Sequence, residues 1–271
     1  MLTLPHLIRS EWIKLRTLRA TWVNVALFGL GDLGLTAMTA QLEAANVNIE
    51  PDLNGSIVHW TTDWSVRLAI PGVVALGMIF MVVLGASVVT SEYSSGSIRS
   101  TLSAAPRRGL VVVAKAIVVA AFCFVVTVAV EVAAVGVAQT CVVAQGFTAP
   151  ISVNGVKSAA GATLFVVVAA LVGMGLGLLL RSNAAAVAVG LGLYLVLPGL
   201  ASVSQEPLAL HLMELLPTSA GNIVSEEGFV VWLGEGITPW VTTYGAAAAV
   251  LVAWGVVLPA AGWGVFRRRD G

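Results

Sequence analysis

Six long apolar runs limit what this 271-residue chain can fold into more than any other feature. A helix needs about 20 mostly apolar residues to cross the roughly 30 Å hydrocarbon layer of a bilayer. Runs of this kind occupy residues 22–40, 68–89, 111–138, 159–180, 184–203 and 244–266. They do not show the alternating polarity of membrane β-strands, which span about 10 residues. We therefore predict an all-α integral membrane protein, a single transmembrane domain over residues 1–271 with six transmembrane helices.

The composition favours the same class of protein. Hydrophobic residues make up 58% of the chain and charged residues 10%, whereas charged residues make up about a quarter of a soluble domain. So few polar side chains cannot cover a soluble core of this size. We expect the lipid bilayer to be the main partner of the chain, and we expect no nucleic-acid partner.

The 14 Lys and Arg residues are unevenly distributed. Four precede the first run, four (Arg99, Arg107, Arg108 and Lys115) are assigned to the connection between the second and third runs, one follows the fourth, and three end the sixth. Only Arg67 and Lys157 lie on the opposite side. Because cytoplasmic flanks carry an excess of basic residues, we predict that both termini are cytoplasmic. A cleaved signal peptide would leave five crossings, but the charged region before Trp22 is too long for one and contains Glu11.

Residues 4–20 have the pattern of an amphipathic helix. Leu4, Leu7, Ile8, Trp12, Leu15 and Leu18 recur at helical spacing. We predict a helix along the membrane interface, and its candidate functional residues are Glu11, Trp12, Lys14 and Arg16. The alternative is a basic flank with no defined helix.

The connection over residues 204–242 combines three prolines with apolar stretches too short to span a bilayer. We predict an extracytoplasmic loop that contains short re-entrant or outer helices between helices 5 and 6.

Pro198-Gly199 is expected to bend the fifth helix and Pro259 the sixth. Gly173 and Gly177 form a Gly-x-x-x-Gly face, which is typical of closely packed membrane helices.

Sequence signatures of enzymes are absent. The chain has no phosphate-binding loop, no His-Glu-x-x-His pair and no Gly-x-Ser-x-Gly nucleophile turn. Its three histidines, His6, His59 and His211, lie in different segments. We predict that the chain is not an enzyme, has no catalytic residues and holds no metal or cofactor of its own.

Two acids lie inside the apolar runs, Asp32 in the first and Glu131 in the third. A carboxylate at the centre of a transmembrane helix costs about 2.5–3.5 kcal/mol on insertion scales. We expect both to face protein or a water-filled cavity. We expect no intramembrane Lys or Arg to pair with them. They are candidates for a proton or cation pathway, and the alternative is that they are protonated or hydrogen-bonded structural groups.

The segment 91–110 is a polar connection between two apolar runs. Ser91 is a candidate cap for a helix in this segment, and Gly96 is a candidate hinge. Pro106 is expected to end the helix. We predict a short helix within residues 92–102, on which Glu92 and Arg99 would share one face. A solvated connector is the alternative.

Two sequence segments resemble one family of membrane proteins. SEWIKLRTLRATW, residues 10–22, and SEYSSGSIRSTLSAAPRR, residues 91–108, resemble the actinobacterial ABC type-2 transporter permeases. The most specific part of the resemblance consists of Glu92, Tyr93, Gly96, Ser97, Arg99 and Pro106. Ser97 is a mild departure, since Thr is commoner at that position of the family.

The resemblance implies a permease of the bacterial cytoplasmic membrane within an ATP-driven transporter, usually an exporter. It implies a homodimer or a paired permease, with separate ABC ATPase subunits that bind ATP and Mg. It also implies that residues 91–110 form a coupling loop that docks on the ATPase, with Glu92, Tyr93, Gly96, Ser97 and Arg99 as the coupling residues. The resemblance does not indicate which substrate is transported.

Two other classes of function remain open. One is a proton- or ion-coupled secondary transporter or channel that uses Asp32 and Glu131 without an ATPase. The other is a membrane scaffold that transports nothing.

Overall fold

The computed structural model describes residues 3–46, 62–94, 108–144, 146–202, 206–226, 229 and 238–269. The helices are α1 (Leu4–Thr17), α2 (Arg19–Asn46), α3 (Trp64–Ser94), α4 (Arg108–Ala144), α5 (Val153–Leu180), α6 (Asn183–Leu191), α7 (Leu197–Ser202), α8 (Pro207–Glu214), α9 (Pro217–Ser225) and α10 (Tyr244–Arg269). A π-helix, Gly192–Val196, joins α6 to α7. No strand occurs in these described ranges.

Six helical segments are long and apolar enough to cross a membrane. They lie in α2, α3, α4, α5, the combined α6–π–α7 helix, and α10. The predicted all-α membrane fold is therefore confirmed. The first three spanning helices, α2, α3 and α4, extend three to six residues beyond the predicted runs at each end. Hydropathy marks only the hydrocarbon layer, whereas a helix continues into the interface.

Helix α5 is the centre of the bundle and packs most extensively against α3 and α10. Glycine makes this close approach possible. A Cβ atom at Gly85 would overlap the Ala170 carbonyl oxygen, and one at Gly173 would overlap the Val82 carbonyl oxygen. A Cβ atom at Gly177 would lie 3.1 Å from the Ala86 carbonyl oxygen. The Gly-x-x-x-Gly face of α5 therefore packs directly on the backbone of α3.

The N-terminal helix α1 is separated from α2 by Leu18, whose backbone is extended (φ −71°, ψ 120°). The predicted helix 4–20 thus ends at Thr17, and the alternative of a flank without a helix is wrong. Leu7, Glu11 and Leu15 form its buried face, because they are spaced by four residues. Leu7 packs on the first turns of α4.

Short helices were predicted between the fifth and sixth spans, and the described residues there form two of them, α8 and α9. Most of α9 is buried against α5 and α10. A Cβ atom at Gly161 of α5 would overlap the Val224 carbonyl oxygen of α9. Trp254 of α10 donates its indole N–H to the Leu215 carbonyl oxygen over 2.7 Å. These contacts attach the pair of short helices to the bundle.

The fifth span changes its helical geometry just before Pro198. The π-helix Gly192–Val196 occupies this position, and proline has no amide hydrogen to continue a regular α-helical ladder. The Thr218 hydroxyl of α9 donates to the Tyr194 carbonyl oxygen over 2.8 Å. A side chain from α9 thus satisfies a backbone carbonyl of this π-helical turn, as is common where a spanning helix departs from regular α-helical geometry.

Candidate functional site

Four charged residues from three helices meet where α3 ends and α4 begins. The Lys14 Nζ atom lies 2.6 Å from Glu11 Oε1 and 2.8 Å from Glu92 Oε1. The Lys115 Nζ atom lies 2.5 Å from Glu11 Oε2 and 3.0 Å from Glu92 Oε1. Each lysine therefore contacts both carboxylates in a closed cycle, which we name the ion ring.

The ion ring is mostly shielded from solvent. The side chains of Glu11, Lys115 and Glu92 are 4%, 6% and 10% exposed, whereas that of Lys14 is 40% exposed. Burial lowers the pKa of Lys14, but its hydrogen bonds to Glu11 and Glu92 and the negative charges of these two groups together leave the pKa above its ordinary value. Because the two positive and two negative charges balance, no buried charge in the ring is left uncompensated.

Helical periodicity explains why these side chains meet. Leu7 of α1 packs on Val111 of α4. Glu11 and Lys115 each lie four residues after these, so they meet one turn further along the same two helix faces. Lys14 is three residues after Glu11 and therefore its neighbour on α1. Glu92 approaches from the last turns of α3 and closes the cycle.

The ion ring joins both ends of the α3–α4 connection to α1. Glu92 lies two residues before the end of α3, and Lys115 lies seven residues after the start of α4. Next to Glu92, the Tyr93 ring lies under the guanidinium carbon of Arg181, 5.2 Å from the ring centre. This cation–π contact joins the end of α3 to the turn between α5 and α6.

The predicted coupling residues are only partly described by the structure. Glu92 and Tyr93 belong to α3, so Ser91 is inside a helix and does not cap one. The interpretation of Ser91 as a cap is therefore wrong, because the transmembrane helix continues through it. Gly96, Ser97, Arg99 and Pro106 lie outside the described residues, and a short helix there remains a prediction.

The predicted residues of the N-terminal helix differ in their surroundings. Glu11 is buried and Lys14 is half-buried, and both belong to the ion ring. Trp12 is 41% exposed and lies edge-on to the Phe122 ring at a centroid distance of 6.0 Å. Arg16 is exposed, and its carbonyl oxygen accepts a hydrogen bond from the Trp22 indole over 2.8 Å.

Lys115 was not among the predicted site residues. It was assigned to the connection between two runs, but it lies inside α4 and is buried. The signal was its position within the predicted run 111–138, between Ala114 and Ala116. A lysine inside an apolar helix needs a carboxylate partner, and Glu11 and Glu92 are those partners.

The two acids of the apolar runs form a second buried site. Asp32 is fully buried on α2, and Glu131 is 5% exposed on α4. A Cβ atom at Gly72 of α3 would overlap Asp32 Oδ1, so α3 covers this carboxyl group. Glu131 Oε2 accepts a hydrogen bond from the Thr163 hydroxyl of α5 over 2.8 Å. The two carboxyl groups lie close enough to interact electrostatically. We name them the acid pair.

The acid pair lacks the compensation that the ion ring has. Both oxygens of Asp32 and Oε1 of Glu131 have no hydrogen-bond partner among the described residues. The hydroxyls of Thr36 and Thr127, each one helical turn away, are also buried without a partner. Such a group of oxygens can hold a proton, a water molecule or a small cation.

A metal centre is not formed by the part of the chain that the structure describes, since it contains no group of three His, Cys, Asp or Glu residues that could bind one. A comparison with curated proteins finds no match. The family described as ABC-2 family transporter protein matches residues 6–271. The match includes α1 from its third residue, all six spans and the four residues of the ion ring. The chain therefore belongs to the ABC-2 family of transporter membrane proteins.

Proposed function

We propose that this ABC transporter permease subunit forms the substrate pathway of an ATP-driven exporter, as a pair with a second permease copy. Separate ABC ATPase subunits would bind ATP and Mg and hydrolyse the nucleotide. In this proposal, both termini and the α3–α4 connection lie on the cytoplasmic side, where the basic residues concentrate. The family assignment supports an ATPase partner in general terms.

The ion ring is the observation that carries this proposal. An ATPase that docks on residues 91–110 would displace the ends of α3 and α4. Two of its four ion pairs attach α1 to these ends, Lys14–Glu92 to α3 and Glu11–Lys115 to α4. Moving α1 away from them would break both of these pairs and leave Glu11 and Glu92 with one cation each in place of two. We infer that α1, α3 and α4 move together when the ATPase moves.

Motion of α3 would reach the rest of the bundle through α5. The backbones of α3 and α5 touch at Gly85 and Gly173, so neither helix can slide past the other without lateral displacement. Helix α5 in turn packs on α10, where a Cβ atom at Gly175 would lie 2.6 Å from the Leu258 carbonyl carbon. A change at the ATPase is thereby passed to helices that would line the substrate pathway.

Charge exchange within the ion ring tests the proposed coupling. The purified permease would be assembled with its ATPase in lipid nanodiscs, and ATP hydrolysis would be compared with that of the ATPase alone. We expect Glu92→Lys to insert and assemble normally but to abolish the effect of the permease on hydrolysis. Inverting all four charges (Glu11→Lys, Lys14→Glu, Glu92→Lys and Lys115→Glu) restores the alternation of charge and is expected to recover part of that effect.

Arg16→Gln is the matched control, because Arg16 is an exposed cation of α1 outside the ion ring. It is expected to behave like the unmodified chain. Normal ATPase regulation by the assembled Glu92→Lys variant would contradict the proposed role of the ion ring.

A second proposal is transport driven by protons or cations through the acid pair, without an ATPase. The unpartnered oxygens of Asp32 and Glu131 favour it. Purified protein in liposomes would be subjected to a proton or sodium gradient, and ion flux would be measured. Flux that disappears in Asp32→Asn and Glu131→Gln would support this proposal, whereas absence of flux in the unmodified chain would reject it.

A further inference from the structure

A groove on the outside of the bundle lies between α4 and α10. Its volume is about 500 Å³. Its walls are almost entirely apolar, and they include Val112, Ala116 and Ala120 of α4 with Gly255, Pro259 and Trp263 of α10. Several wall residues, such as Val113 and Val256, are about half exposed. The groove is therefore open to the hydrocarbon layer that surrounds these helices.

The length of the groove corresponds to one leaflet of a bilayer. Its α4 wall runs from Gly109 to Ala120, which is about 16 Å at 1.5 Å per residue. Half of the hydrocarbon thickness is about 15 Å. An extended acyl chain of one leaflet can thus lie along the groove from its interfacial end to the middle of the membrane.

Both walls of the groove end at arginines. Arg108 begins α4 one helical turn before Val112, and Arg267 lies one turn beyond Trp263 on α10. Positions four residues apart share a helix face, so each basic position continues an apolar wall. Arg267 is exposed, and Arg268 and Arg269 follow it at the end of α10. Glu131 is the only acid in either helix, and it lies eleven residues beyond Ala120.

We propose that the groove binds an anionic phospholipid of the leaflet on the arginine side. One acyl chain lies between α4 and α10, and the phosphate lies at the positions of Arg108 and Arg267. A second copy of the chain fits this surface poorly. Two copies inserted in the same orientation around a twofold axis would bring their arginine ends together at the same depth.

Bromine-labelled lipids test the proposal, because bromine on an acyl chain quenches a tryptophan that it contacts. The purified full chain would be placed in nanodiscs of zwitterionic lipid, and anionic or zwitterionic phospholipid with brominated chains would be titrated in. The signal of Trp263 is the difference between the unmodified chain and Trp263→Phe. We expect the anionic lipid to quench Trp263 at a lower mole fraction than the zwitterionic lipid.

Charge variants give the expected magnitudes. Each basic residue near the surface is expected to contribute about a fivefold preference for the anionic lipid. Arg267→Gln should therefore reduce the preference about fivefold, and Arg108→Gln/Arg267→Gln about thirtyfold. Arg9→Gln is the control, since Arg9 is an exposed cation of α1, and it should leave the preference unchanged.

A groove-filling variant tests the acyl-chain part of the proposal. Ala116→Phe is expected to remove quenching of Trp263 by both lipids. Equal quenching of the unmodified chain by anionic and zwitterionic lipid would overturn the proposed headgroup recognition. No quenching by either lipid would indicate that protein covers the groove, and would overturn the proposal as a whole. Neither the ATPase nor nucleotide is present, so failure here leaves the proposed function untouched.

Discussion

The ion ring and the acid pair are two buried groups of charged side chains with opposite electrostatic arrangements. In the ion ring, each carboxylate contacts two lysines within 3.0 Å. In the acid pair, two carboxyl groups interact electrostatically, and no described cation pairs with them. The first group stabilises one arrangement of three helices only while all its charges are present. The second contains buried carboxyl oxygens that have no hydrogen-bond partner among the described residues.

The difference indicates separate roles for the two groups. A compensated ring resists separation of α1 from α3 and α4, which suits a mechanical connection. A pair of uncompensated acids favours binding of a proton or cation, which suits a site that changes its occupancy. Neutralising a carboxylate is therefore expected to damage the ion ring and to leave the fold around the acid pair intact.

The largest expected effect is the loss of Lys115. Lys115→Met keeps the length of the side chain but leaves Glu11 and Glu92 without one of their two cations. We expect the free energy of unfolding in detergent to fall by about 3–5 kcal/mol. Lys14→Met is the matched comparison, and because Lys14 is 40% exposed its loss is expected to cost about 1 kcal/mol or less. Equal losses in the two variants would contradict the buried ring.

The second effect concerns the contact between α3 and the acid pair. A Cβ atom at Gly72 would overlap Asp32 Oδ1, so Gly72→Ala is expected to destabilise the protein by about 1–3 kcal/mol. The cost should largely disappear in an Asp32→Ala background, which removes the overlapping atom. Gly34→Ala on α2 is the control, because nothing lies within 4 Å of a Cβ atom there. A cost that persists without the Asp32 carboxyl group would mean that position 72 and this carboxyl group are not in contact.

Much of the fold follows from the sequence because bilayer thickness fixes the length of an apolar run. The six spans and the short helices before α10 are predictable for this reason. Pro198 indicated a disturbance in the fifth helix, but its form, a π-helix held by Thr218, depends on a contact between distant residues. Such contacts are not encoded in local periodicity.

The candidate site was less predictable than the fold. Glu11, Lys14 and Glu92 were identified as separate features of a surface helix and a connection. Their association requires the packing of Leu7 on Val111, which positions α1 against α4. Lys115 was counted with the basic residues of the connection although it lies inside the predicted run 111–138, where a charge is itself a sign of a buried partner.

The third effect compares neutral replacements in the two groups. We expect Asp32→Asn and Glu131→Gln to change the free energy of unfolding by less than about 1 kcal/mol, since an amide mimics the neutral carboxyl group that an unpaired acid adopts in a bilayer. Glu92→Gln is expected to be more costly, because both lysines lose a charged partner. Chemical denaturation of the three variants under one condition measures this contrast. A loss of several kcal/mol in Asp32→Asn would show that an ionised Asp32 is part of the structure.

The smallest expected effect is the pH dependence contributed by Lys14. Its pKa in the folded protein lies above the ordinary value of 10.5, so the folded state holds the Lys14 proton more tightly than the unfolded state. The contribution of Lys14 to stability is therefore complete below a pH of about 10.5 and is lost as the pH rises through the higher folded value. Denaturation from about pH 9 to pH 12 should show a steeper loss of stability in the unmodified chain than in Lys14→Met.

Lys157→Met, which removes a lysine outside the ion ring, is the control and should keep the steeper loss. Parallel curves for the unmodified chain and Lys14→Met would indicate that Lys14 contributes no preferential stability to the ring, and that the buried pairs of Lys115 alone hold α1 against α3 and α4.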